Sequence, residues 1–227
     1  MTSPDLATSF RLGRNDLARL LDGYGDLFSA RLGIALAGLD SGELFRWFLA
    51  SMLFGARITE SVAARTFLAF LEHGLATPDR IVRANFSELL QIMAEGGYVR
   101  YDGITSRKVQ EAAAKLLQDY GGDLNSLHAA AQDAHDLEAR IQDFKGVGPT
   151  TAGIFLRELR GLWPKANPPL GDLARLAAAH LEIADPVSFW KRHTVPGHGY
   201  RNFEAALTRL GKNFCRRGRC RKSPIPH

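Results

Sequence analysis

The sequence predicts an all-α protein of about ten helices. In nearly every periodic stretch the apolar residues recur three or four positions apart, which is the spacing of one helical face. Glycines, prolines and N-cap residues separate these stretches, whereas no alternating apolar–polar run is long enough for a convincing strand. The chain has 227 residues, of which 45% are hydrophobic, so we expect a sizeable buried core.

The strongest helical patterns in the first half of the chain begin with an apolar face from Leu17 to Tyr24. The stretch from Glu43 to Phe54 is apolar on almost every side, which predicts a helix buried at the centre of the fold. A long amphipathic helix is expected to begin at Thr105 or Ser106 and to end at Gly121. Further helices are expected at Val62 to Gly74, from Thr77, at Ser87 to Gly96, at Leu124 to Ala131, and near 172–183, 186–192 and 201–214.

The most informative stretch lies between two of these helices. Leu137 to Phe144 has apolar residues at helical spacing, and so has Ala152 to Leu159. Between them, Lys145-Gly-Val-Gly148 contains two glycines that allow a tight reversal, and Pro149 suits the first turn of a helix. The pattern predicts a helix, a glycine hairpin at residues 145–148, and a second helix.

Such a hairpin can bind an anion. Its amides and those of the next helix's first turn lack intrahelical partners and lie at the positive end of the helix dipole. A phosphate held there would position DNA without reading its sequence. The alternative is an ordinary turn between two helices with a glycine cap.

The ten residues from Phe144 to Gly153 read FKGVGPTTAG. They resemble the helix-hairpin-helix of the endonuclease III and adenine glycosylase superfamily, which reads roughly LPGVGxxTA. The matching positions are Gly146, Val147, Gly148, Thr151 and Ala152. The resemblance implies duplex DNA as partner, with contacts from Lys145, Gly146, Val147, Gly148, Thr150 and Thr151, and a monovalent cation at the hairpin as a possible ligand.

The resemblance also implies an endonuclease III-like fold of two helical domains. Residues 43–162 would form a six-helix barrel that contains the helix-hairpin-helix. Residues 1–42 and 163–227 would form the other domain, and DNA would enter the cleft between the two. The likeness extends over residues 40–220, but only the hairpin is specific.

Glycosylases extract the target base, so the vacated stack needs a plug. In the family the plug comes from a Ser-Gln-Gln-Thr-like string after the first barrel helix. Here Phe54 to Thr59 reads FGARIT, which lacks the glutamines, and Arg57 is the nearest candidate. The alternative is a surface arginine at the end of a helix.

Asp172 is the candidate catalytic carboxylate, which would stabilise the developing sugar cation or activate water. The family places an aspartate about twenty residues after the hairpin, in Val-Asp-Thr-His-x-x-Arg. Aligned on Arg175, that position holds Leu170; aligned on the start of the helix, it holds Asp172 after a two-residue slip. Asp172 is also well placed as a plain N-cap.

Two other features of the family are missing. The lysine that forms a Schiff base in bifunctional members aligns with Thr150, which implies an enzyme without lyase activity. Cys215 and Cys220 lie where many members carry four cysteines, and two thiols cannot hold a four-thiolate iron–sulfur cluster. We therefore expect no cofactor, although zinc bound with His193, His198 or His227 is conceivable.

The charge distribution suits a polyanionic partner. The net charge is +5 and the pI about 9.4, and six basic residues lie within 212–222, either as a solvated tail or as a phosphate contact. Arg216, Arg217 and Arg219 are the candidate DNA-binding residues of this tail. The absence of a signal peptide and of a long apolar run predicts a cytoplasmic protein, expected to be a monomer.

Three functions remain open at this point. The first is a monofunctional DNA glycosylase of base-excision repair, a hydrolase that removes a damaged or mismatched base. The second is a catalytically inactive DNA-binding relative that kept the fold. The third is a helical interaction protein whose hairpin is only a turn.

Overall fold

The computed structural model describes residues 14–218, and the side chains of residues 16–218. This part of the chain is helical and contains no β-strand, only an isolated bridge between Arg160 and Trp163. The all-α prediction is confirmed. The α-helices are α1 (Arg14–Tyr24), α2 (Phe28–Arg31), α3 (Ser41–Phe54), α4 (Glu60–Glu72), α5 (Pro78–Arg83), α6 (Phe86–Glu95), α7 (Asp102–Tyr120), α8 (Leu124–Ala130), α9 (Ala134–Gln142), α10 (Pro149–Arg157), α11 (Asp172–His180), α12 (Pro186–Arg192) and α13 (Tyr200–Asn213).

The described residues divide into two compact units. Residues 32–168, here called the hairpin unit, contain α3 to α10. Residues 14–31 and 169–218, here called the terminal unit, contain α1, α2 and α11 to α13. The barrel arrangement expected of residues 43–162 stays a prediction. None of the helices within residues 14–218 has the length and apolar character that a membrane span requires.

Helix α3 forms the buried centre of the hairpin unit, as its sequence predicts. Every residue from Trp47 to Leu53 is buried. The indole Nε1 of Trp47 donates a hydrogen bond to the carbonyl oxygen of Phe155 in α10 (3.0 Å). The ring of Phe48 meets the rings of Phe144 and Phe155 edge-on, at centroid distances of 5.1 and 5.4 Å. The two helices that flank the glycine hairpin are therefore anchored on α3 by aromatic packing.

Helix α7 begins about one turn earlier than predicted, at Asp102 rather than at Thr105 or Ser106. The Thr105 hydroxyl lies 2.8 Å from the Tyr98 hydroxyl, inside the helix, and does not cap it. The residue before α7, Tyr101, has a left-handed backbone with φ of 65°. This conformation is uncommon for a residue with a side chain, and it turns the chain sharply into the helix.

The terminal unit contains the last three predicted helices, found as α11, α12 and α13. Helices α11 and α13 pack very closely. A Cβ on Gly211 would come 2.0 Å from the carbonyl oxygen of Leu173. Only glycine allows this approach of two helix backbones.

Arg209 of α13 connects the two ends of the described chain. It is 5% exposed and donates hydrogen bonds to the carbonyl oxygens of Tyr24 (2.6 Å) and Asp26. Its guanidinium carbon lies 3.9 Å from the centroid of the Phe28 ring, a cation–π contact. Arg209 thus holds the end of α1 and the start of α2 against α13.

Candidate nucleic-acid interface

The glycine hairpin, residues 145–148, joins α9 to α10 as predicted. Phe144 is buried and fixes the end of the first helix, and Pro149 opens the second. Gly146 has φ of +86°, in the left-handed region that favours glycine. Gly148 is the N-cap of α10, with an extended backbone (φ −98°, ψ −177°) and no side-chain cap.

The two glycines of the hairpin are needed for different reasons. A Cβ on Gly146 would come 2.7 Å from Cδ of Lys108, so both its backbone angle and its neighbour exclude a side chain. A Cβ on Gly148 would meet nothing within 4 Å, and its backbone angles suit any residue. The fold therefore requires glycine at 146 but leaves open space beside 148.

Several amides of this segment remain available for a ligand. The amides of Gly146, Gly148 and Thr150 have no backbone acceptor among the described residues. The amide of Val147, in contrast, donates to the carbonyl oxygen of Phe144 (3.0 Å). The Val147 amide therefore closes the turn itself, and the expected DNA contact at Val147 stays a prediction.

The side chains of the hairpin segment separate into two groups. Lys145 and Thr150 are exposed, as a DNA contact requires. Val147 is only 5% exposed and Thr151 only 4%. Their side chains pack inside the hairpin unit, so a DNA contact at Thr151 would use its backbone amide, and that contact stays a prediction.

Thr151 instead holds the loop that carries Arg57. A Cβ on Gly55, the last residue before that loop, would lie 2.0 Å from Oγ1 of Thr151, so the end of α3 rests directly on α10. Arg57 follows two residues later and is exposed. The sequence-predicted plug and the glycine hairpin are thus brought together by one glycine–threonine contact.

A pocket of about 330 Å³ lies between the Arg57 loop, the start of α7 and the hairpin. The walls that sequence reasoning missed come from the turn between α6 and α7 and from the first two turns of α7. The lining residues include Arg57, Tyr98, Tyr101, Ile104, Lys108 and Gly146.

This pocket is edged by exposed apolar and aromatic side chains. Of its lining residues, Tyr101 is 55% exposed and Ile104 56%. Val99, which follows the lining residue Tyr98 in the sequence, is 74% exposed. The Arg100 guanidinium lies 5.0 Å from the centroid of the Tyr101 ring. Exposed aromatic rings beside arginines are the side chains on which unstacked bases pack. The available signal was the run Tyr98-Val-Arg-Tyr101 after the helix stop at Gly96-Gly97, where apolar residues continue without helical spacing.

No family model matches the sequence, and no curated protein matches it. Among solved structures, a thermostable thymine-DNA glycosylase matches 89% of this chain and 87% of its own, with a TM-score of 0.51 and 15% sequence identity. The chain has a DNA glycosylase-like fold. At this identity the likeness concerns the fold alone.

Asp172, the candidate carboxylate, lies in the terminal unit at the first position of α11. The expected N-cap role is corrected by one residue: Gly171 is the N-cap, and no side chain caps this helix. The Asp172 side chain is 89% exposed and forms an ion pair with Arg175 one turn later. The Asp172 side chain therefore does not cap α11, and its carboxylate is solvated.

The basic C-terminal segment is described only in part. Arg216 and Arg217 are exposed and lie in a 3-10 helix, Cys215–Arg217, after α13. Arg219 and Cys220 lie outside the described residues. Cys215 is buried in the core of the terminal unit.

Metal-ligand side chains do not gather in the described part of the chain: residues 14–218 contain no group of three His, Cys, Asp or Glu side chains that could hold an ion. His198 instead lies 3.4 Å from the Asp22 carboxylate, and the His193 ring packs on Phe189 at 4.6 Å.

Proposed function

We propose that the chain binds duplex DNA through the glycine hairpin and acts as a monofunctional DNA glycosylase. Gly148 carries the proposal. It is a glycine that neither backbone angle nor neighbouring atoms require, and it sits beside unpaired amides at the start of a helix. Open space of this kind lets a phosphate approach the backbone closely.

Base extraction would use the side of the hairpin unit that carries the pocket. Arg57 lies at the pocket and would fill the stack that the extruded base leaves. Asp172 would stabilise positive charge on the sugar or activate water. Thr150 has no amine, so no Schiff base forms at that position and the sugar–phosphate backbone stays intact. The substrate class is a damaged or mismatched base in duplex DNA.

A catalytically inactive DNA-binding protein is the second candidate, and Asp172 favours it. The carboxylate is 89% exposed and paired with Arg175, whereas catalytic groups usually act in sites from which water is excluded. The two candidates share the hairpin and differ only in chemistry.

Gly148→Ser tests DNA binding with opposite effects on two measurements. Serine is a preferred N-cap, so its hydroxyl should accept from the first-turn amides of α10 and keep or raise stability. The same hydroxyl would occupy the phosphate position, so affinity for duplex DNA should fall about tenfold, which is ~1.4 kcal/mol. Unchanged DNA affinity in a folded Gly148→Ser protein would remove the hairpin from the interface.

Asp172→Asn then separates the two candidates, because asparagine keeps the shape and loses the charge. If the chain is a glycosylase, base release from a panel of lesion duplexes should fall by orders of magnitude while DNA binding persists. No base release by the unmodified protein from any duplex would leave the inactive DNA-binding protein.

A further inference from the structure

Lys108 lies across the glycine hairpin from the second turn of α7. Its alkyl stem covers Gly146, since a Cβ at that glycine would come 2.7 Å from Cδ, 3.0 Å from Cβ and 3.1 Å from Cγ of Lys108. Lys108 and Gly146 both line the pocket described above. The packing of the stem thus places the Lys108 side chain beside the hairpin.

The electrostatic setting of Lys108 differs from that of another lysine on the same helix. Lys115, about two turns later, forms ion pairs with Asp119 (2.8 Å) and Asp143 (2.9 Å). Hydrogen bonds to these two carboxylates raise the pKa of the Lys115 amine. Lys108 has no carboxylate within ion-pair distance among the described residues, and its charge is available to an outside anion.

A second cation, Arg57, lines the same pocket and has no ion-pair partner in the described chain either. Two cations without a carboxylate partner on the walls of one pocket favour an anion there. The hairpin amides can donate hydrogen bonds, but only the side chains supply full charges.

We propose that Lys108 binds a phosphodiester group of DNA beside the glycine hairpin, and that glycine is required at 146 to seat its stem. This inference rests on the proposed DNA-binding function and adds a residue to it. Lys108 acts as a point charge that positions the strand, without reading a base. The charged contact therefore comes from α7, a helix outside the hairpin segment.

The matched comparison is Lys108→Met against Lys115→Met. Both variants remove one positive charge from the same helix, and methionine keeps an unbranched stem over Gly146. Each phosphate contact contributes about 0.9 to the slope of log affinity against log salt. Lys108→Met should lower the magnitude of that slope by about one unit, so that between 50 and 200 mM salt it loses about 3.5-fold less affinity than the native protein. Lys115→Met should leave the slope unchanged, and Lys108→Arg should restore it.

A footprint on the native protein tests the same contact without any substitution. Acetylation of lysine amines, read by mass spectrometry, should be slowed severalfold at Lys108 when duplex DNA is added, but not at Lys115. A native slope in Lys108→Met would overturn the inference, and so would an equal rate of Lys108 acetylation with and without DNA. The footprint decides the matter if the methionine variant does not fold.

Failure of this inference is distinguishable from failure of the proposed function. A native protein that binds no duplex DNA at low salt contradicts both. A native protein that binds DNA with the same salt slope as Lys108→Met contradicts only the role of Lys108.

Discussion

At the scale of single residues, the glycine hairpin shows how one residue type serves two purposes. The fold requires glycine at position 146, because the backbone there is left-handed and the Lys108 stem packs against it. Gly148 faces open space. A substitution at each position should therefore affect a different property of the molecule.

Gly146→Ala should destabilise the protein, whereas Gly148→Ala should change stability much less. A left-handed backbone costs a residue with a side chain about 1–2 kcal/mol, and displacing the Lys108 stem adds to that. At Gly148 only a modest loss of N-cap preference is expected, about 0.5–1 kcal/mol. Urea unfolding of the two variants beside the native protein measures both. Equal losses would show that the two glycines are structurally equivalent.

His128 is a second residue whose surroundings predict a measurable effect. Its ring stacks on Trp163 at 4.7 Å with 10° between the planes, and its buried Nε2 has no hydrogen-bond partner. Burial, assisted by the nearby Lys165 charge, lowers the pKa of His128. The folded state therefore favours the neutral imidazole.

Stability should fall as the pH is lowered through about 6.5, the ordinary pKa of histidine. Below that value the unfolded chain takes up a proton at His128 that the folded chain resists, so acid favours unfolding. His128→Phe keeps a ring on Trp163 and removes the titration. The free energy of unfolding, measured from pH 8 to pH 5.5, should decline less steeply in this variant. Parallel curves for the two proteins would show that His128 does not contribute.

At the scale of helices, the contact between α3 and α10 positions the site. The last turn of α3 meets α10 where Gly55 faces Thr151, and the Arg57 loop starts from this point. The Trp47–Phe155 hydrogen bond fixes the same two helices one to two turns away. The placement of Arg57 relative to the hairpin therefore depends on the absence of a side chain at Gly55.

Gly55→Ala should be strongly destabilising on its own and much less so in combination with Thr151→Ala. The new Cβ would overlap Oγ1 of Thr151, and removing that hydroxyl relieves the overlap. Residues in direct contact commonly show coupling energies of about 0.5–3 kcal/mol, here in the rescuing direction. Chemical unfolding of both single variants and the double variant measures the coupling. Simple additivity would mean that α3 and α10 do not meet at this pair.

At the scale of the whole molecule, the positive charge should govern DNA affinity. Arg216 and Arg217 are exposed at the end of the described chain. Replacing both with glutamine should lower the magnitude of the salt slope by up to about two units. Arg83→Gln is the control, because that exposed arginine already lies 3.6 Å from the Asp79 carboxylate. Identical slopes for all three proteins would exclude the tail from the interface.

Features that depend on local signals could be predicted from the sequence. The buried α3, the hairpin with its two helices, and α11 to α13 all follow from apolar spacing and from glycine or proline at helix ends. The start of α7 differs from the expected one, because Thr105 lies inside the helix with its hydroxyl paired to that of Tyr98. That pairing depends on a turn whose left-handed Tyr101 has no sequence signature.

Features that depend on distant segments could not be predicted. In the sequence, Lys108 is one of several basic residues of an amphipathic helix. Its contact with Gly146, 38 positions later, is seen only in the structure. The burial of Thr151 likewise comes from Gly55, far away along the chain. The sequence motif identified the hairpin, but only the packing distinguishes the residues that support it from those that face outward.

Arg209 of α13 donates hydrogen bonds to the carbonyl oxygens of Tyr24, the last residue of α1, and Asp26. This link between distant segments has a consequence for synthesis on the ribosome. Helix α1 and its partner α13 are separated by more than a hundred residues. The apolar face of α1 therefore gains its α13 contacts only after those residues have been translated, whereas the hairpin unit is contiguous in the sequence. The terminal unit should therefore complete its core later than the hairpin unit.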